Sequence, residues 1–320
     1  MSLREDLSRA IEGLTSDVAP RELSRAAEEL RAGYRSERRS RPQLGRVHRA
    51  AYLITRLPAT YAVISRILRE SRLRVPDLRV ETMLDVGAGP GTAMWAAAEQ
   101  FPDLSRITLL EDQTEWIEVG RRLAAACGRT AIRSAEWQQG SATGEFPIGM
   151  FDLVTLSYVI NELRVAERLA AVHATWKRTV KILVIAEPGT PAGFEHIREA
   201  RRELIAAGAH VVAPCPHANA CPMQGNDWCH FAERLQRSSQ HRSAKNAELG
   251  FEDEKYSYVV FAREPVNLPT ARILRHPTKH SGHIEFDLCT RDGVERVTVS
   301  RRQGQKYKSA RKAECGDTFG

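Results

Sequence analysis

Long apolar runs are what this 320-residue chain lacks first: nothing approaches the ~18 consecutive apolar residues that a membrane span needs. Met1 to Ala10 carries no apolar signal core either. The expectation is therefore a cytosolic protein with no membrane partner. Aromatic residues are sparse at 7%, but 42% hydrophobic and 27% charged residues exclude a disordered or fibrous chain. No Gly-Lys-Ser/Thr occurs, which excludes a phosphate loop. Thr92 stands where the dinucleotide fingerprint G-x-G-x-x-G needs its third glycine. Paired C-x2-C knuckles, the usual mark of zinc ribbons and bacterial ferredoxins, are absent as well.

What is present is charge, unevenly placed. The net charge is +7 over residues 1–80, −5 over 81–200 and +5 over 201–320. The densest stretch, 31–80, includes Arg31, Arg35, Arg38, Arg39, Arg41, Arg46 and Arg49, and a second cluster holds Arg301, Arg302, Lys306, Lys308, Arg311 and Lys312. Guanidinium grips phosphate with two parallel hydrogen bonds, so two basic flanks favour a nucleic acid partner. A solvated helix face is the plainer reading of either patch taken alone.

The length suits about two domains of ~100–200 residues. Residues 1–80 read as a basic helical N-terminal domain, with a helix from Arg21 after Pro20 and apolar positions at helical spacing over Val47–Arg69, broken near Pro58. From Thr82 short apolar runs alternate with helical stretches. Strands are expected near 82–86, Ile107–Leu110, Phe151–Leu156, Lys181–Ala186 and Tyr256–Ala262, with helices near Trp116–Cys127, 162–179 and 193–207. That alternation predicts an α/β, doubly wound, mostly parallel sheet over 81–265. Residues 266–320 read as a small basic β subdomain.

Asp85-Val86-Gly87-Ala88-Gly89-Pro90-Gly91 lies where the first strand hands over to a helix. Glycines let a ligand approach the backbone, and the helix start offers free N–H groups. The G-x-G-x-G spacing after an acid looks like the first motif of S-adenosylmethionine-dependent methyltransferases. Glu111, ending the second strand, fits the carboxylate that accepts from ribose hydroxyls. Asp85 is expected to hold the ammonium end of the cofactor directly or through water. Trp137-Gln138-Gln139 lacks the acid often placed near adenine. After the fourth strand the chain reads Ser157-Tyr158-Val159-Ile160-Asn161-Glu162, without the N/D-P-P-Y/F of amino-methylating enzymes. Asn161 and Glu162 either meet the substrate or cap the next helix. Cys127, inside a helix, is no nucleophile, and no catalytic residue is named.

Three cysteines, Cys215, Cys221 and Cys229, share one proline-rich loop, 213–231. Thiols so clustered in a reducing compartment point to a metal. The fourth ligand is Cys289, His217 or His230, with Cys315 the weaker choice. Four sulfurs suit an iron–sulfur cluster or zinc, and spacing does not separate them. Buried reduced thiols are the alternative.

The segments PCPHANACPMQGNDWCHF and HRSAKNAELGFEDEKYSYVVFAR, with SYVINEL, EPGTPAG and Tyr307 to Gly316, resemble a methyltransferase-like family. That family includes the mitochondrial small-ribosomal-subunit assembly protein and its bacterial relatives. The resemblance runs from about residue 30 to the end. It implies a Rossmann-like class I methyltransferase fold that binds S-adenosyl-L-methionine through Asp85, Gly87, Gly89, Gly91 and Glu111. It also implies a [4Fe-4S] cluster on Cys215, Cys221, Cys229 and Cys289 that ties the C-terminal β subdomain to the core. The implied partners are small-subunit rRNA and the immature small ribosomal subunit. Two activities follow from it: rRNA methylation, or assembly without methyl transfer. A methyltransferase for a small molecule or protein is a third reading. Where family tails carry an aromatic residue before Gly-Asp, this chain has Cys315.

Overall fold

The computed structural model describes residues 3–35 and 45–319, without the side chains of residues 34 and 35. Four helices lead in: α1 (Glu5–Thr15), α2 (Pro20–Arg35), α3 (Arg46–Thr55) and α4 (Leu57–Arg74). Pro20 opens α2, where its missing N–H costs nothing. Leu23, Ala26, Ala27 and Leu30 recur at helical spacing and are buried. Pro58 falls in the first turn of α4, and Arg56 separates that helix from α3.

The central unit then runs β1 (Thr82–Val86), α5 (Thr92–Gln100), β2 (Arg106–Glu111), α6 (Thr114–Ala125), α7 (Thr130–Arg133), β3 (Glu136–Gln139) and β4 (Phe151–Ser157). It continues with α8 (Val165–Arg178), β5 (Thr179–Pro188), α9 (Pro191–Ala206), β6 (His210–Ala213), β7 (Phe231–Gln236), α10 (Ser239–Ala244) and β8 (Phe251–Ala262). The sheet order is β3-β2-β1-β4-β5-β8-β6, parallel from β3 to β5 and antiparallel around β8. Both faces are covered. One buried cluster joins α1–α4 to α5, α6 and residues such as Met83, Leu153 and Val184, while the opposite face packs Leu84, Val154 and Leu183 under α8 and α9. Alternate residues of each strand serve opposite layers. The alanines of α5 (93, 96, 97 and 98) let it lie close against α4.

β6 and β7 are two halves of one interrupted strand. Both pair antiparallel with the same edge of β8, His210–Ala213 against Val260–Ala262 and Phe231–Gln236 against Phe251–Tyr256. Residues 214–230, the cysteine loop, are an excursion from the gap between them. The Ser257 hydroxyl, in the gap, donates to the Cys229 carbonyl at 2.8 Å.

The tail builds a second antiparallel sheet from β9 (Ala271–Ile273), β10 (Thr278–Lys279), β11 (His283–Thr290), β12 (Gly293–Ser300) and β13 (Thr318–Phe319), with α11 (Gln305–Ala310) packed on it. Arg272 of β9 joins this sheet to the rest. It is 1% exposed, donates to Pro214 O at 2.8 Å and pairs with Glu70 of α4. Glu70 also accepts from the Tyr258 hydroxyl at 2.7 Å.

Candidate cofactor pocket and cysteine cavity

Gly87, Gly89 and Gly91 all have positive φ, at +69°, +56° and +81°. At 87 a Cβ would collide with Val159, and at 91 it would press on Met94, Trp137 and Leu109. At 89 nothing lies within 4 Å, so this glycine faces open space. Glu111 is fully buried and accepts from Gly89 N at 2.7 Å and Gln113 N at 3.1 Å, which fixes the loop beside the end of β2. Asp85 is 2% exposed; its Oδ1 accepts from the Thr155 hydroxyl at 2.6 Å, whereas Oδ2 has no hydrogen-bond partner. Burial, with the Glu111 charge adding to it, pushes this carboxyl up to about 7.

Ser157 Oγ, the Tyr158 hydroxyl and Asn161 Oδ1 are likewise buried without partners, at the end of the neighbouring strand β4. Buried polar atoms are nearly always satisfied in folded proteins, so these orphans at adjacent strand ends leave hydrogen-bonding capacity for a ligand or water. Tyr158 also holds φ +61°, a left-handed conformation that costs a bulky residue strain. Glu187, fully buried at the end of β5, accepts from Ile160 N at 2.9 Å and Asn161 N at 3.1 Å and so pins the segment after β4. Sequence reasoning gave neither Tyr158 nor Glu187 a role. The signal for Glu187 was an acid before Pro-Gly at a strand end. The capping alternative for Asn161 and Glu162 falls away, because α8 starts at Val165 under a capping box of Arg164 and Glu167.

Cys215, Cys221, Cys229 and Cys289 line one cavity, with His217 among them. Cys289 comes from β11 and the other three cysteines from the loop that interrupts the edge strand. Burial pushes the Cys229 thiol well up, and Cys215, Cys221 and Cys289 add to that by their proximity. Burial likewise raises Cys289, to about 12. Among the described residues no three cysteine sulfurs lie within 4.8 Å of one another. His217 Nε2 lies 3.5 Å from Cys289 Sγ, and its Nδ1 has no partner. His230 instead stacks on Trp228, and Cys315 points at Leu274 O, 3.4 Å away, outside this cavity. The Trp228 indole N–H donates to Gly189 O at 3.0 Å, linking the loop to the segment that follows Glu187.

The two basic patches differ. In the first, Arg46 pairs with Asp17, Arg56 with Glu254 at 2.9 Å, and Arg66 with Asp317 at 3.6 Å. These three arginines thus have carboxylate partners within the chain. The expectations for Arg38, Arg39, Arg41 and the Arg35 side chain lie outside the described residues. In the second, Arg301, Arg302, Lys306, Lys308, Arg311 and Lys312 are all exposed on and beside α11.

Residues 46–320 match the model of the mitochondrial small ribosomal subunit Rsm22 family. The chain belongs to that family. A relative of the Rsm22 family, the human mitochondrial ribosome assembly protein METTL17, is 30% identical over 289 residues, 83% of this chain and 61% of the relative. The fission yeast (Schizosaccharomyces pombe) mitochondrial Rsm22-cox11 tandem protein 2 is 25% identical over 84% of this chain and 42% of its own length. The chain thus spans about three fifths of the first relative and less than half of the second. Among solved structures, the magnesium protoporphyrin IX methyltransferase of Synechocystis is similar with a TM-score of 0.44 and 9% identity, over 74% of this chain and 94% of that one. The sheet order itself, with its one antiparallel insertion at β8, is the mixed α/β sheet of class I methyltransferases. The resemblance read from the cysteine loop and its flanks, to a methyltransferase-like small-ribosomal-subunit assembly family, is borne out. The cytosolic expectation is overturned, since the curated relatives are mitochondrial proteins. Run lengths could not have told the compartments apart: proteins of either interior fold in water, and no described helix is long and apolar enough to cross a membrane.

Proposed function

We propose that this chain acts in assembly of the mitochondrial small ribosomal subunit, as an S-adenosylmethionine-binding, iron–sulfur-containing protein that docks on small-subunit rRNA. The family match over residues 46–320 carries the reading. Support for the cofactor comes from the open face of Gly89 and the unpartnered Oδ2 of Asp85, which suits a cationic ammonium group. Bound there, the cofactor supplies an electrophilic methyl group. Gly87, Gly91 and Glu111 shape the loop beneath it.

For the cysteines, four thiols lining one cavity suit the [4Fe-4S] cluster that the family resemblance implies, held by Cys215, Cys221, Cys229 and Cys289. It would cross-link β11 to the loop between β6 and β7. Anaerobically purified chain is expected to be brown, with iron and sulfide in near-equal amounts, and Cys221→Ser to lose both. Colourless protein without iron or sulfide refutes the cluster.

Assembly is favoured over methylation by the segment after β4. Tyr158 and Asn161 offer hydrogen-bonding atoms there, while Glu187, the buried carboxylate that pins the segment, is spent on the backbone N–H groups of Ile160 and Asn161. An rRNA modification map from a deletion strain separates the two readings. An unchanged map with impaired small subunits supports assembly, and loss of one methylated nucleotide supports the enzyme.

A further inference from the structure

On the solvent face of the C-terminal sheet, His280, His283 and Glu285 bring three ligating atoms within 4.8 Å of one another. The strand register explains the convergence. Thr278 pairs with Glu285 and Lys279 with Ile284, so His280 stands opposite His283 across Ser281 and Gly282, its N–H donating to His283 O at 2.9 Å. Residues directly opposed share a face, and residues two apart on one strand share it too. Ile284 and Phe286, each 1% exposed, take the other face and the core. All three polar side chains therefore stand on one side of a tight hairpin.

Their spacing is informative. The imidazoles stack with centroids 4.4 Å apart, and Glu285 Oε1 lies 3.6 Å from His283 Nε2 and 4.0 Å from His280 Nε2. These separations exceed the ~2.7–3.2 Å of a hydrogen bond. They approach the ~3.4 Å between ligand atoms of a tetrahedral zinc bound at ~2.0–2.2 Å. The triad is spaced to share something between its members rather than to satisfy itself.

We propose that this hairpin is a second metal site, in which His280 Nε2, His283 Nε2 and Glu285 Oε1 take one zinc-like divalent ion and water completes the shell. Two imidazoles and a carboxylate suit borderline d-block cations, in contrast to the all-sulfur set of the cysteine cavity. The sites are separate: Cys289 lies four residues beyond Glu285 on β11, ~13 Å along the strand. The ion would brace β10, only two residues long. It would also steady the basic platform, because Arg301 N donates to Gly282 O in the same turn at 3.0 Å.

The test is histidine footprinting of the full chain with diethyl pyrocarbonate under anaerobic conditions, titrated with zinc chloride and read peptide by peptide. Zinc is expected to protect His280 and His283 together while the exposed His210 and His276 react as before. Glu285→Gln, a substitution on a solvent-facing strand position, should raise the zinc concentration for half-protection roughly tenfold or more. Unchanged reactivity of both histidines up to millimolar zinc overturns the site. So does protection that is undiminished in Glu285→Gln.

Discussion

Gly87 and Gly89 sit two residues apart in one turn, yet they are glycine for different reasons. A side chain at 87 would meet both a left-handed backbone and Val159, whereas at 89 it would meet only the backbone and then open space. Gly87→Ala is expected to lower stability by more than ~2 kcal/mol, from overpacking added to backbone strain. Gly89→Ala should cost only ~1–2 kcal/mol yet abolish binding of S-adenosylhomocysteine; urea melts and calorimetric titration read the two effects. Equal effects of both variants on both readouts would remove the case for a ligand over Gly89. Asp85 makes a second residue-scale prediction. Its carboxyl, pushed up to about 7 by burial, ionises near ~3.9 once unfolded. Between those values the folded chain keeps a proton that the unfolded chain has lost. The contribution is whole below pH ~4 and is lost as pH rises through 7, at up to ~1.4 kcal/mol per unit. Asp85→Asn should flatten the fall in urea midpoint between pH 5 and pH 8; a wild type already flat over that range contradicts the assignment.

Among elements, the interrupted edge strand and Arg272 decide how the molecule holds together. β6 and β7 keep the sheet register on either side of residues 214–230, so the cysteine loop leaves and returns at fixed points on β8. Arg272 then fastens β9 to Pro214 at the start of the loop and to Glu70 on α4. Arg272→Ala would leave the buried Glu70 with only Arg74, 3.9 Å away, and the Tyr258 hydroxyl; removing one member of a buried charge pair costs up to ~3–5 kcal/mol. The expected result is a lowered denaturation midpoint together with faster loss of metal from the cysteine cavity, followed by absorbance; an unchanged midpoint would show that Arg74 and Tyr258 suffice for Glu70. Element types were legible where periodicity was strong, as in the alanine-rich α5 and the apolar β4. The short half-strand β6, and β7 with its alternating polar residues, were read into or beside a loop. Their pairing is supplied by β8, about fifteen to fifty residues on, and local pattern carries no trace of a distant partner.

At the scale of the whole molecule, charge is sorted by use. The arginines at 46, 56 and 66 bond carboxylates of the same chain, while the cluster at 301–312 stays exposed. Replacing Lys306, Lys308, Arg311 and Lys312 by glutamine should weaken binding to small-subunit rRNA and reduce the slope of log affinity against log salt by ~0.7–0.9 for each phosphate that is no longer neutralised. A slope unchanged in a filter-binding series would place the RNA surface elsewhere. Residue order along the chain determined which chemistry was available: a glycine turn between strand and helix, an acid at Glu111, three thiols in one loop, and basic flanks. These are local properties, set by backbone freedom and side-chain type within a few residues. Among the candidates for a fourth ligand that the residues left open, tertiary structure decided that Cys289 lines the cavity of the loop cysteines while Cys315 turns to Leu274. It also decided that Glu187 braces the segment after β4, and that Arg46, Arg56 and Arg66 pair with carboxylates of the chain while the cluster at 301–312 faces water. Each of those outcomes depends on which groups meet after strands distant in sequence have paired, because burial and charge pairing act through space.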